Sequence, residues 1–284
     1  MGRYKKILVA VDGSESSMHA LSESFKLAAD EKSWITVASV VPSYTGDLDI
    51  LAVGNVLQSM RRPYEKAISD ALALARKKGA SIKTVCEEGE PYERIADLAG
   101  SEKCDLIVMG RRGLRRFERA LIGSITARVI GHTQKDVLVL PRDAKIGWKR
   151  VLLATDGSKY SKAAAKKAID FAKSYGGELK IVSIVDVPSE FYAESPETVE
   201  ALVKKAKGYA EAVRKQAEGS GIKAEAIVRE GEIYKVITDL AKEQKANIIV
   251  TGSHGRTGLK RLLMGSVTEK VIGHTPCPVL VVKV

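Results

Sequence analysis

Cysteine is scarce in this chain. Its three cysteines, Cys86, Cys104 and Cys277, stand far apart and never form a CxxC pair. That spacing argues against a disulfide framework or a zinc ribbon and predicts buried thiols in a reducing compartment. Aromatic residues make up only 5% of the sequence, too few for a base-stacking platform, and no tail of like charges is present. Nucleic acid is therefore a disfavoured partner. No run of eighteen apolar residues occurs, so no membrane-spanning helix is expected. The opening MGRYKKILVAVDGS has only a strand-length apolar run and reads neither as a secretory signal nor as a membrane span, and Lys6 does not suit a myristoylation motif. The expected location is cytoplasmic.

Several nucleotide-handling signatures are also missing. There is no G-x-x-x-x-G-K-[ST], and no G-x-G-x-x-G follows the first strand-like run. The Asp-x-Asp pair of a phospho-aspartyl hydrolase would need an aspartate at Ala10 or Ala154. What remains is a 284-residue chain of ordinary globular composition with a net charge of +11, most of the excess lying in its second half. Such a length suits two domains, and such a charge attracts anions of any size.

The chain is written twice. KILVAVDGSESSM at 6–18 returns as RVLLATDGSKYSK at 150–162, and GSITARVIGHTQKDVLVL at 123–140 returns as GSVTEKVIGHTPCPVLVV at 265–282. The first pair is offset by 144 residues and the second by 142, so a tandem duplication with a small length change accounts for both. The join falls near Pro141 to Lys149, which predicts one domain over 1–143 and a second over 149–284.

Within each copy, short β-branched runs alternate with helical stripes. In the second copy the runs are Val151 to Ala154, Leu179 to Val187, Ala224 to Val228, Ile248 to Val250 and Pro278 to Val282. They read as strands covered on both faces. Ile233, Val236, Ile237, Leu240 and Ala241 follow a helical stripe, matched in the first copy by a helix opening at Pro91 with Ile95, Leu98 and Ala99 inward. Five such strands per copy predict an α/β fold, a parallel sheet with right-handed crossovers and helices on both faces. Ligands of such sheets lie beyond the carboxyl ends of the strands, where the winding reverses.

Two loops per copy reach that position. One is Asp12-Gly13-Ser14 and its twin Asp156-Gly157-Ser158; the other is GRRGLRRFERALIGS at 110–124 and its twin GSHGRTGLKRLLMGS at 252–266. The second pair shares the spacing G-x2-G-x9-G-S: Gly110, Gly113, Gly123, Ser124, and Gly252, Gly255, Gly265, Ser266. Glycines allow close backbone approach to a phosphate, and the closing Gly-Ser opens a helix whose free amides and dipole hold anionic oxygens. The hydroxyls of Ser124, Thr126, Ser266 and Thr268 are candidate further donors; Asp12 and Asp156 are candidates for a ribose hydroxyl or a magnesium ion. The plainer alternative is that the glycines only make turns and that Asp and Ser only cap the next helix. His254 is replaced by Arg112 in the other copy, so no histidine mechanism serves both halves.

The VAVDGS opening, the VMGRRG and VTGSHG segments, the glycine spacing and the GHTPCPVLVV close together resemble the universal stress protein family, once per half. The resemblance implies two tandem flavodoxin-like domains of strand order 3-2-1-4-5 and places the chain with an ATP-binding subgroup. It implies an adenine-nucleotide site, with or without Mg, formed in the first copy by Ala10, Asp12, Val40, Met109, Gly110, Gly113, Gly123, Ser124, Ile125 and Thr126. In the second copy it implies Ala154, Asp156, Ile184, Thr251, Gly252, Gly255, Gly265, Ser266, Val267 and Thr268. Two departures stand out: Arg116 replaces the glycine found at Gly258, in a loop with Arg111, Arg112, Arg115 and Arg119, and Ile233 stands where relatives carry the proline seen at Pro91.

The expected function is nucleotide-dependent stress regulation without fast turnover. The alternatives are a slow ATPase, autophosphorylation at Ser124 or Ser266, and a scaffold in which nucleotide is only structural. Val137 to Leu140 and Val279 to Val282 would be apolar sheet edges, so the two halves are expected to pair through them. Association of two whole chains is left open.

Overall fold

A computed structural model of the chain describes residues 3–43, 56–113, 122–255 and 264–284. Arg115, Arg116, Arg119 and Gly258 lie outside these. The chain divides into two compact units, Met1–Asp143 and Ala144–Val284.

The first unit runs β1 (Lys6–Ala10), α1 (Glu15–Glu31), β2 (Trp34–Pro42), α2 (Val56–Lys78), β3 (Ile82–Gly89), α3 (Pro91–Ser101), β4 (Leu106–Gly110), α4 (Ser124–His132) and β5 (Asp136–Leu140). Its strands lie in the order β3-β2-β1-β4-β5, with parallel pairings throughout. The second unit runs β6 (Arg150–Ala154), α5 (Lys159–Tyr175), β7 (Glu178–Val185), α6 (Glu190–Glu194), α7 (Pro196–Gly219), β8 (Ala224–Glu230), α8 (Ile233–Glu243), β9 (Ile248–Gly252), α9 (Ser266–His274) and β10 (Val279–Val282). Its order is β8-β7-β6-β9-β10, again parallel. Each unit therefore has the 3-2-1-4-5 order, and β1 and β6 stand where the winding reverses.

The central strands are buried on both faces, which explains their unbroken apolar runs. Ile7, Leu8, Leu106, Ile107 and Val108 are fully buried in the first unit, as are Val151, Leu152, Ile248, Ile249 and Val250 in the second. β7 stops at Val185, two residues short of the run read from sequence, because Pro188 follows and the short helix α6 begins. On α8 the buried face is Ile237, Thr238, Leu240 and Ala241, so the inward stripe sits toward the C-terminal half of the apolar pattern. In α3 the expected Ile95, Leu98 and Ala99 face inward, joined by Pro91 in the first turn.

One close approach recurs in both units. A Cβ added to Gly110, at the end of β4, would lie 2.7 Å from the backbone carbon of Ser16 in the first turn of α1. At Gly252 it would lie 2.8 Å from the backbone carbon of Tyr160 in the first turn of α5. Glycine is required here by packing of strand end against helix start. The approach brings the loop after β4 or β9 beside the loop after β1 or β6.

The thiols divide differently from the sequence expectation. All three are free, but Cys86 is exposed on β3, whereas Cys104 and Cys277 are buried. Burial pushes the Cys104 thiol up to about 11 and raises that of Cys277 as well. A thiol reagent at pH 7.5 is expected to modify Cys86 alone in the native protein, with the other two reacting only after denaturation; prompt labelling of Cys277 would contradict the burial.

Gly252→Ala is expected to lose about 2 kcal/mol, since backbone and not a mobile side-chain tip stands in the way, and to lower the melting temperature by about 5 °C. Gly208→Ala, inside α7 with nothing within 4 Å of the new methyl, is expected to raise it slightly. Thermal unfolding followed by circular dichroism compares the two.

Candidate functional site

The Asp-Gly-Ser turns combine two local roles. The Ser14 hydroxyl accepts from the Ser17 amide and caps α1, and Asp12 Oδ1 accepts from the Ser14 amide at 3.0 Å. The twin is near-identical: Ser158 caps α5 by accepting from the Ser161 amide, and Asp156 Oδ1 accepts from the Ser158 amide at 3.0 Å. The capping alternative is thus correct for the serines. For each aspartate it accounts for one carboxylate oxygen only.

The other oxygen points across to the second loop. A Cβ on Gly113 would run into Asp12 Oδ2, and one on Gly255 would come within 3.1 Å of Asp156 Oδ2. The middle glycine of each spacing therefore makes room for a carboxylate. Asp12 and Asp156 are half-buried, at the floor of the gap between the two loops.

Beyond that glycine the chain reaches a helix start with no side-chain cap. Gly123 and Gly265 are the N-cap residues of α4 and α9, in extended backbone with φ of −65° in both. Their own amides are used, donating to the Arg111 and Ser253 carbonyls at 2.9 and 3.0 Å. The first intrahelical bonds run from the Ala127 and Glu269 amides to the Gly123 and Gly265 carbonyls. Among the described residues, no group accepts from the amides of Ser124, Ile125 and Thr126, or of Ser266, Val267 and Thr268. Among the described residues, three donors without a partner thus stand at the positive end of a helix dipole in each unit.

The threonine hydroxyls are not part of that donor set. Thr126 Oγ1 donates to the Gly110 carbonyl at 3.2 Å, and Thr268 Oγ1 to the Gly252 carbonyl at 3.0 Å, both buried. They fasten the helix start to the strand end, so Thr126 and Thr268 offer a ligand their amides alone. Ser124 and Ser266 remain exposed.

The other residues named from sequence lie around this gap. Ala10 and Ala154 end β1 and β6, paired with Ala38 and Val182. Val40 and Ile184 stand two residues further along β2 and β7, past the end of the central strand. Met109 is buried at the end of β4, and Thr251 is half-buried at the end of β9. Asp156 and Ile184 also line one cleft of about 140 Å³, whereas Gly252, Gly255 and Ser266 do not reach it.

The two loops after β4 and β9 differ in charge. In the first unit Arg111 and Arg112 stand side by side; burial, and secondarily the Arg112 charge, lower the Arg111 pKa. Arg112 Nε is buried without an acceptor among the described residues. In the second unit the same places hold Ser253, which is buried, and His254, whose Nδ1 lies 3.1 Å from Ser253 Oγ. The His254 ring packs 5.2 Å from that of Tyr160. His254 is thus held by Ser253 in the loop and by Tyr160 in the first turn of α5.

Sequence reading passed over four contributors: the helix residues Ser16 and Tyr160, whose backbone demands Gly110 and Gly252, and the α7 side chains Lys205 and Tyr209 on the wall of the second unit's cleft. The repeated Ser-x-x-Ser at 14–17 and 158–161 signalled the first pair of helix starts. Nothing signalled Tyr209, which has no aromatic twin.

Comparison with known proteins supplies the family. The profile of the Universal stress protein family matches residues 3–141 and again 147–283. A universal stress protein of Methanocaldococcus jannaschii is 41% identical over 143 residues, covering 48% of this chain and 82% of its own length. One from Mycolicibacterium smegmatis is 26% identical over 295 residues, covering 98% of this chain and 96% of its own. The crystal structure of a universal stress protein from Archaeoglobus fulgidus superposes with a TM-score of 0.73 at 23% identity, covering 98% of this chain and 96% of that one, a likeness of fold. With one family match over each half, the chain belongs to the universal stress protein family, as a tandem two-domain member.

Proposed function

We propose that each unit binds an adenine nucleotide in the gap between its two loops, and that the chain reports occupancy by a change of shape or partner in a cytoplasmic stress response. The observation that carries this reading is the twin arrangement of three acceptor-less helix amides opposite an aspartate, at the reversal of winding in both units. The resemblance of G-x2-G-x9-G-S to the ATP-binding subgroup supplies the choice of adenine nucleotide.

Phosphate oxygens fit the amides of Ser124 to Thr126 and of Ser266 to Thr268, where each charge-assisted bond forms against a dipole already in place. In the first unit the Arg111 and Arg112 charges stand next to that helix start, where the Gly123 amide donates to the Arg111 carbonyl. Asp12 and Asp156 accept from a ribose hydroxyl, or share a magnesium ion with the phosphates. Among the described residues no cluster of three acidic, histidine or cysteine side chains exists, so such an ion would draw most of its ligands from phosphate and water.

The residues around the gap bind and orient; they do not supply a matched acid or base. His254 has Arg112 as its counterpart, and the aspartates are committed to the turn on one side. Binding without fast turnover is therefore the favoured reading.

Isothermal titration with ATP is expected to show binding at both units, weakened about tenfold at one of them in Asp156→Ala, the size of a lost hydrogen bond to a charged group. No uptake of ATP, ADP or AMP at millimolar concentration would overturn the proposal. Steady phosphate release that vanishes in the Asp12→Ala, Asp156→Ala double variant would put slow hydrolysis in its place.

A further inference from the structure

We infer that the two units are unequal sites, and that Tyr209 and Lys205 of α7 make the second unit's cleft a base-binding subsite with two side chains that have no counterpart in the first unit. The inference rests on the nucleotide reading above and goes beyond it, because it assigns a selectivity to residues that the duplication did not preserve.

The geometry differs at one point of otherwise matched turns. Gly13 and Gly157 have nearly the same left-handed backbone, with φ of +82° and +77°. What covers them does not match. Over Gly13 stands the Ala67 methyl, which a Cβ on that glycine would meet at an ordinary 3.5 Å. Over Gly157 stands the ring of Tyr209, so close that any Cβ there would overlap it. Ala67 and Tyr209 are related by the 142-residue offset that links Gly123 to Gly265, and the same offset relates Pro63 to Lys205. The duplicated turn is kept while its cover has changed from the Ala67 methyl, with the Pro63 carbonyl 3.7 Å from the same added Cβ, to an aromatic ring.

That ring forms part of the wall of the 140 Å³ cleft, together with Asp156, Ile184, Asp186, Lys205 and Ile233. The volume suits one fused ring system and is well below that of a drug-sized pocket. The chemistry of the walls is that of a nucleobase site. Ile184 and Ile233 are apolar, and Tyr209 offers a π-face at small entropic cost. Lys205 donates to ring nitrogens, and the Asp186 carboxylate accepts from an exocyclic amine, Asp156 being left for the ribose. A base carrying both an amine donor and ring-nitrogen acceptors, as adenine does, satisfies both signs of charge; a purine with a carbonyl in place of the amine meets that carboxylate with the wrong group. The first unit, with Pro63 and Ala67 at the two positions, holds its ligand mainly through phosphate, where Arg111 and Arg112 stand.

The test uses the full chain and titrates adenosine, AMP and ATP by calorimetry. Wild type is expected to show two classes of site for ATP and one dominant class for adenosine. Tyr209→Leu keeps apolar bulk and removes the ring; it is expected to weaken that dominant class about tenfold for all three ligands, the scale of one base–aromatic stack. Tyr209→Phe is expected to restore binding to within about threefold, and Lys205→Gln to weaken adenosine about as much as ATP. The first-unit class should be unchanged in all three variants, with melting temperatures near wild type. Two equal sites, or adenosine affinity unmoved in Tyr209→Leu, would overturn this inference while leaving nucleotide binding intact. Failure of every ligand to bind would overturn both.

Discussion

Both crevices depend on one backbone contact, the seating of a strand end against the first turn of a helix. Gly110 lies against Ser16, and Gly252 against Tyr160, at distances that admit no side chain on the glycine. From that contact the rest of the site follows. The loop after β1 and the loop after β4 are brought side by side, Asp12 reaches under Gly113, and the start of α4 is tied to the strand end through Thr126 and the Gly110 carbonyl. The second unit repeats each step with Asp156, Gly255, Thr268 and Gly252. Among the described residues, the helix amides are left without protein partners, and they are the groups an anion needs.

The glycine spacing therefore has more than one cause. Its first glycine is a packing requirement, its second clears space for a carboxylate, and its third caps a helix whose donors stay open. A spacing kept in both copies is explained by these three constraints acting together, and only the last of them concerns ligand directly. That is why the same motif reads as turn punctuation and also, on the proposed function, as a phosphate cradle.

The fold was legible because burial on both faces writes itself into uninterrupted runs such as ILVA and IIVT, and because the duplication supplied a second reading of every element. The turn aspartates and the helix starts were legible for the same reason. Where a residue acts through the backbone of a neighbour, as Ser16 and Tyr160 do, side-chain chemistry gives no hint of it. Thr126 and Thr268 looked like donors for a ligand because a hydroxyl at a helix start is ambiguous until its acceptor is known. Cys86 was expected inside because isolated cysteines usually are, but it falls on the exposed face of β3. Tyr209 lay in a helix whose sequence marks only an inward stripe, and its partner Gly157 is distant in the chain.

The duplication also separates what was held fixed from what was free to change. The Asp-Gly-Ser turn, the glycine spacing and the capped helix starts are shared; the arginine pair of the first unit and the α7 aromatic of the second are not. On the proposed function, the shared residues would hold phosphate and ribose within two different surroundings. A crystal structure of the full chain grown with ATP tests this account most directly. The account predicts triphosphate density against the amides of Ser124 to Thr126 and of Ser266 to Thr268, with ribose at Asp12 and Asp156. Nucleotide bound elsewhere, with those amides facing only water, would contradict it.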